Sequence, residues 1–295
     1  MKKQVLCFGE VLWDSFTDGK KPGGAPMNVA QHLVQQGLDV SFVTRLGKDT
    51  PGKKLAEYLK TNGLDGPFIQ KDDELPTCEV TVELDADNQA TYIIPEPVSW
   101  DNIKLENGVK RHARKVSAIV FGSLTCRSKT TRNTLRTLLE QSTALKIFDV
   151  NLRAPHYDLS TIETLLPHAN IVKMNEEEAR LLIGGKLAKL KDNIVEFQKK
   201  YHTKTICVTR GDKGAIIWHD ERFYEHPGYK VMVDDTVGAG DAFLATLIKG
   251  FLKEKPMQQV LDKACAVGAY VTTRRGANPK YSKEDIRAIR GVVTA

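Results

Sequence analysis

Short β-rich apolar runs alternate along this chain with longer segments in which apolar residues recur every three or four positions. VLCFGEVLWD (5–14) reads as one buried strand running to an edge, and VSFVTRLG (40–47) as a second. Between them GGAPMNVAQHLVQQGL (23–38) reads as a helix, with Pro26 in its first turn and Val29, Ala30, Leu33 and Val34 on its inner face. LAEYLKTNGL (55–64) is a helix ended by glycine. The period then becomes strict alternation: CEVTVELD (78–85) and QATYIIPE (89–96), joined by the turn-forming ADN, predict a hairpin. Strand and helix resume with VSAIVFGSL (116–124), a helix through about 128–142, LKIFDVNLR (145–153) and IVKMNEEEARLL (171–182). KTICVTRGDKGAIIW (204–218) reads as a hairpin about GDKG. Val231 and Val233 alternate ahead of DDTVGAGDAF (234–243), and AFLATLIKGFL behind it is apolar on nearly every side, so this stretch predicts strand, glycine turn and buried helix. A last long helix covers 258–275. The rhythm implies an α/β fold, a mostly parallel central sheet with helices on both faces.

A length of 295 residues fits one large α/β unit, and no linker or internal repeat divides the chain. The net charge of +6 is spread thinly, without basic runs interleaved with aromatics, so nucleic-acid binding is not expected. The apolar patch after Lys2 and Lys3 ends at Gly9 and Glu10, too short for a secretory leader, and no segment approaches a membrane span. Five scattered cysteines without CxxC pairs predict free thiols, a reducing cytoplasm and no zinc site.

The chemistry concentrates in GAGD. Gly238, Ala239 and Gly240 carry little bulk, so their backbone N–H groups at a helix start can converge on one anionic oxygen. Asp241 beside them is either a helix-capping carboxylate or a base for a hydroxyl that attacks a phosphoryl group. Asp14 offers acceptor sites to two sugar hydroxyls, or is an exposed turn residue; Asn28 suits a polyol or a cap. Asp149, Asn151 and Arg153 fall on alternate positions and hence on one side of a strand, where Arg153 binds an anion or pairs with Asp149. No GxxxxGK[ST] is present, so phosphate must be held without a Walker loop.

DTVGAGDAF and GGAPMNVA, in this order and about 210 residues apart, resemble the two signatures of the ribokinase-like (PfkB) carbohydrate kinases, and FDVNLR resembles a run of fructokinase-like members. The resemblance covers essentially the whole chain. It implies a doubly wound nucleotide- and sugar-binding domain at 1–10, 22–76 and 100–295, with a small β-sheet lid at 11–21 and 77–99 whose face often pairs two subunits in a homodimer. It implies a sugar site at Asp14, Gly24, Asn28, Arg153 and Asp241, with Asp241 and the Gly238–Ala239–Gly240 turn catalytic. Nucleotide contacts are implied at Asn175, Thr209, Gly211, Gly238, Gly240, Gly276 and Ala277, and a water-mediated Mg²⁺ contact at Glu178, although NEEE by its spacing is a helix cap. A monovalent-cation region is implied at Asp235, Val237 and Lys280, where the lysine ammonium either replaces the cation or is solvated. The expected activity is ATP-dependent phosphorylation of a primary hydroxyl, with D-fructose the favoured sugar, ribose, 2-keto-3-deoxygluconate or a nucleoside as alternatives, and a catalytically silent sugar-binding regulator as the reading from another class.

Overall fold

Val5, Leu6, Cys7 and Phe8 are all fully buried, as a strand's residues are only when both of its faces are covered. The computed structural model, which describes residues 3–16, 19–84, 90–184 and 189–291, shows how. Strand β1 (Gln4–Phe8) lies inside a nine-stranded sheet with β4 (Asp39–Gly47) and β5 (Ile69–Asp72) on one side. On the other side follow β8 (Ala118–Gly122), β9 (Leu145–Asp149), β10 (Ile171–Asn175), β11 (Thr205–Thr209), β12 (Ala215–His219) and β13 (Arg222–His226). All neighbours are parallel except β12 and β13, which run antiparallel at the edge.

Alternate side chains of each strand enter two separate cores. Leu6, Phe8, Phe121, Phe148 and Met174 face α3 (Asn107–Ala113), α4 (Lys129–Gln141), α5 (Leu159–Leu165), α6 (Glu176–Ile183) and α7 (Leu190–Tyr201). Val5, Cys7, Phe42, Val120 and Ile147 face α1 (Ala25–Gln35), α2 (Thr50–Thr61), α8 (Ala239–Leu252) and α9 (Met257–Thr272). The five cysteines are free and buried, and desolvation raises the pKa of each thiol. No helix among the described residues is long and apolar enough to cross a membrane.

A second sheet of four strands has the order β3 (Gly19–Gly23), β2 (Leu12–Phe16), β6 (Glu79–Leu84), β7 (Ala90–Ile93). The β6–β7 pair is the hairpin predicted at 78–96, and its ADN turn lies outside the described residues. β2 pairs antiparallel with β3 and parallel with β6, so the small sheet is mixed. Asp49 ties it to the main body: as N-cap of α2 its carboxylate accepts from Gly52 N at 2.8 Å, and it also accepts from Thr77 N and Thr77 Oγ1, each at 2.7 Å.

Three expectations fail here. VLCFGEVLWD is not one strand: the chain breaks at Gly9–Val11, leaving β1 in the large sheet and β2 in the small one. LKIFDVNLR ends as a strand at Asp149, and Asn151 takes a left-handed φ of 38°, which destroys the alternation that placed Asn151 and Arg153 beside Asp149. No strand precedes the glycine turn either. Met232 and Val233 are 90% and 58% exposed, and Asp234 N and Asp235 N bond to the carbonyl of Thr272 at the end of α9 instead of to a sheet.

Candidate active site

Strand order reverses between the parallel neighbours β1 and β8: from β1 the sheet is built outward through β4 and β5, then resumes at β8 on the other flank. Loops diverge beyond the carboxyl ends of strands at such a switch point and leave a crevice. Around it stand Glu10 after β1, Asp14 on β2, Asp149 at the end of β9, Lys173 and Asn175 on β10, and Thr209 at the end of β11. Two helix starts complete the ring, Gly24–Asn28 of α1 and Gly238–Asp241 of α8.

Gly238, the N-cap of α8, has φ 78°, and a Cβ there would lie 2.5 Å from the Cα and carbonyl oxygen of Ala277. Only glycine permits both that backbone angle and that approach. The Ala277 carbonyl is held by His32 Nε2 at 2.9 Å, and burial lowers the His32 pKa to about 4, leaving the ring neutral. The turn, α1 and the C-terminal loop are thereby locked together. Ala239 N reaches the Thr236 carbonyl only at 3.4 Å, a weak bond that leaves the first-turn donors available to an anion.

Asn28 Nδ2 donates to Asp241 Oδ2 at 2.8 Å, and Asn28 Oδ1 accepts from Asn278 Nδ2 at 2.7 Å. Asn28 therefore orients the Asp241 carboxylate from inside the first turns of α1, whose N-cap is Gly24. Asp241 is partly buried, and its pKa rises to about 6: burial is the chief cause, Asp149 adds to it, and Lys173, Asn28 and Arg153 oppose it. Asp14 likewise rises to about 6 through burial, opposed by Arg153. A Cβ at Gly23 would lie 2.2 Å from Asp14 Oδ2, so the bare glycine on the paired strand makes the space this carboxylate occupies. Gly24 serves packing in the same way: a Cβ would meet the Glu10 carbonyl oxygen at 2.6 Å. Arg153 is exposed on the loop beyond Asn151, yet its charge reaches Glu10, Asp14 and Asp241.

Asn175 and Thr209 are register partners at the ends of β10 and β11. Asn175 Oδ1 accepts from Glu178 N at 2.8 Å and Glu178 Oε2 accepts from Asn175 N at 2.8 Å, so NEEE does form a capping box. Glu178 Oε1 accepts from Leu152 N at 2.8 Å, and burial raises its pKa. Gly211 opens the turn after β11 at φ 58°, and a Cβ there would enter open space. Asp235 accepts from Val237 N at 3.0 Å and Gly276 N at 2.9 Å, joining the two loops expected to flank a monovalent cation. Lys280 is exposed, and no ion pair of its ammonium occurs among the described residues. The cavity of about 350 Å³ bounded by Arg127, Arg132, His156 and Tyr157 contains none of the residues ringing the crevice.

The sequence reading missed Glu10, Lys173 and Asn278. Glu10 is 2% exposed, its Oε2 has no partner, and burial raises its pKa to about 7. Lys173 is 6% exposed and donates to Asp149 Oδ1 at 3.0 Å; burial alone would lower its pKa, but Asp149, Glu178 and Asp241 carry it upward. Both are ionisable residues set in apolar strand runs, which was the signal available. Asn278 gave none.

The model of the pfkB family carbohydrate kinases matches residues 2–284. The chain belongs to that family. Fructokinase-1 of Zea mays is 29% identical over 96% of this chain and 96% of its own length, and the fructokinase of Escherichia coli is 28% identical over 94% and 95%. The crystal structure of a fructokinase from Xylella fastidiosa with bound ATP superposes with a TM-score of 0.87 at 23% identity, covering 98% of each chain, which shows a shared fold. This carbohydrate kinase therefore carries the doubly wound architecture and the small accessory sheet expected from its signatures.

Proposed function

We propose that the kinase transfers the γ-phosphoryl group of ATP to the primary hydroxyl of D-fructose, giving fructose 6-phosphate, with Asp241 as the base. The Asn28 to Asp241 hydrogen bond at the open start of α8 carries this reading, because it aims a carboxylate at the place where unpaired N–H groups await an anion. Asp14 and Arg153 bind the sugar, with Gly24 at the edge of its pocket. Asp241 accepts the hydroxyl proton as oxygen attacks in line, and the N–H groups of Gly238, Ala239 and Gly240 take up charge on the phosphoryl oxygens. Asn175, Thr209 and Gly211 line the nucleotide's path at the ends of β10 and β11, with Gly276 and Ala277 on the facing loop.

Magnesium fits the chemistry present. Among the described residues no three acidic, His or Cys side chains gather into a protein cage, but Glu178 keeps lone pairs beyond those its backbone donors use, and Mg²⁺ binds readily through water and substrate phosphate. Glu178 would hold it through water, and the ion would screen phosphate charge. The small sheet acts as the lid at 11–21 and 77–99, and its face pairs two copies of the chain; Ile93, 49% exposed on edge strand β7, supports such a contact. The buried free thiols suit a reducing cytoplasm.

The sugar assignment rests on the fructokinase relatives and FDVNLR. ADP release from MgATP is measured with fructose, ribose, 2-keto-3-deoxygluconate and nucleosides, and fructose is expected to give the highest kcat/KM. Another sugar giving the highest value replaces the substrate. No release with any sugar above the ATP-only rate leaves a sugar-binding regulator as the function.

A further inference from the structure

The second glycine of the turn, Gly240, has an ordinary backbone angle, so conformation does not require it. Its neighbour does. A Cβ at residue 240 would lie 3.3 Å from Lys173 Nζ, tight contact with an ammonium group enclosed by the protein. Lys173 rises from β10 to the underside of the turn, and one of its three N–H donors goes to Asp149 Oδ1 at 3.0 Å. Among the described residues its other two have no protein acceptor, and Asp149 Oδ2 is also buried without a partner. A buried ion pair left half-satisfied is costly unless something completes it.

We propose that Lys173, held by Asp149, is a positioning residue for phosphoryl transfer: it fixes a positive charge beneath the Gly238–Gly240 turn, where it steadies both the Asp241 carboxylate and the phosphoryl group entering above. This rests on the kinase reading of the same site. The charged and polar groups facing Asp241 are Asn28 from α1, Glu10 from the β1–β2 connection, Asp149 from β9, Arg153 from the loop beyond it and Lys173 from β10. Lys173 opposes protonation of Asp241 and Asp149 favours it, so removing each must move the ionisation in opposite directions.

The experiment measures kcat and sugar KM from pH 5 to 9 for wild type, Lys173→Met, Asp149→Asn and the double variant, with thermal melts and with affinity for a non-hydrolysable ATP analogue. Wild-type activity is established first; its absence with every sugar defeats the kinase reading itself. With an active wild type, Asp149→Asn is expected to move the acidic limb of kcat down by about one pH unit and Lys173→Met to move it up. The double variant, which leaves no unpaired buried charge if Lys173→Met alone fails to fold, is expected to melt near wild type, to lose about 100-fold in kcat, to bind the analogue more weakly, and to change sugar KM less than threefold. An acidic limb unmoved in Asp149→Asn, or a folded double variant with wild-type kcat, overturns the proposal.

Discussion

Replacing Asp241 by Asn is expected to make the protein a poorer enzyme and a more stable fold, with both effects governed by pH. The amide is isosteric, and its oxygen can still accept the hydrogen bond that Asn28 Nδ2 gives at 2.8 Å, so the geometry of α1 against α8 is kept. What disappears is a charge. Burial disfavours ionisation and holds the folded carboxyl at about 6, above the usual carboxylate range. Holding the proton that much more tightly corresponds to about 3 kcal/mol, which the partial exposure of Asp241 reduces to about 1 to 2 kcal/mol. The folded state binds the proton more tightly than the unfolded chain, so this residue lowers wild-type stability as pH rises from about 4 to 6 and holds the full penalty above 6. Asp241→Asn therefore gains nothing below pH 4 and its full increment at pH 8. Denaturant unfolding of both proteins at pH 4, 6 and 8 reads that window directly. In the kinase assay the same variant loses the base, which is expected to lower kcat about 10² to 10⁴-fold, with sugar affinity by calorimetry changed little. Turnover near wild type would remove Asp241 from the reaction; a stability difference independent of pH would refute the buried-charge account.

Asn28→Ala frees the Asp241 carboxylate and strands the Asn278 amide, so kcat is expected to fall about 10 to 100-fold with nucleotide affinity unchanged; an unaltered kcat defeats the orienting role. Gly23→Ala places a methyl where Asp14 Oδ2 now lies, and its displacement is expected to raise sugar KM at least tenfold while leaving the ATP-only background rate alone, which steady-state kinetics with varied sugar will test. Lys280 must swing inward toward Asp235 to stand in for a monovalent cation, so the rate with potassium is compared with sodium and choline. A rate indifferent to the cation supports the lysine, and strong activation by potassium assigns the charge to an ion.

The alternation of apolar strands and amphipathic helices was legible because the inner strands of the large sheet are buried on both faces and most helices on one, and those two demands leave different periods in the sequence. It misled where spacing was present without a neighbour to cover it. Val231 and Val233 alternate as a strand would, yet among the described residues they pair with no strand, and Val233 stays 58% exposed. Asp149, Asn151 and Arg153 alternate in the same way, but a φ of 38° at Asn151 turns the chain after the first of them. VLCFGEVLWD hid a break because apolar residues continue across Glu10 into the second sheet.

The site was legible as a set of residues and illegible as a set of relations. Asn28 and Asp241 are 213 positions apart, and Asn28 and Asn278 are 250 apart, so no local pattern records that one amide links them. The choice between structural and functional roles that spacing posed was also false for several residues. Glu178 closes a capping box with Asn175, as a helix start of that composition should, and the same carboxylate also accepts from Leu152 N beyond β9. Gly238 serves a backbone angle and a close approach to Ala277, and by doing so leaves the first-turn N–H groups uncovered. Lys173 looks like an error in a buried strand until Asp149 and Gly240 are seen beside it. In each case the fold's need to satisfy a buried polar group or a tight turn puts the chemically useful atom in place, which is why capping and packing residues of α1, α6 and α8 carry most of the proposed site.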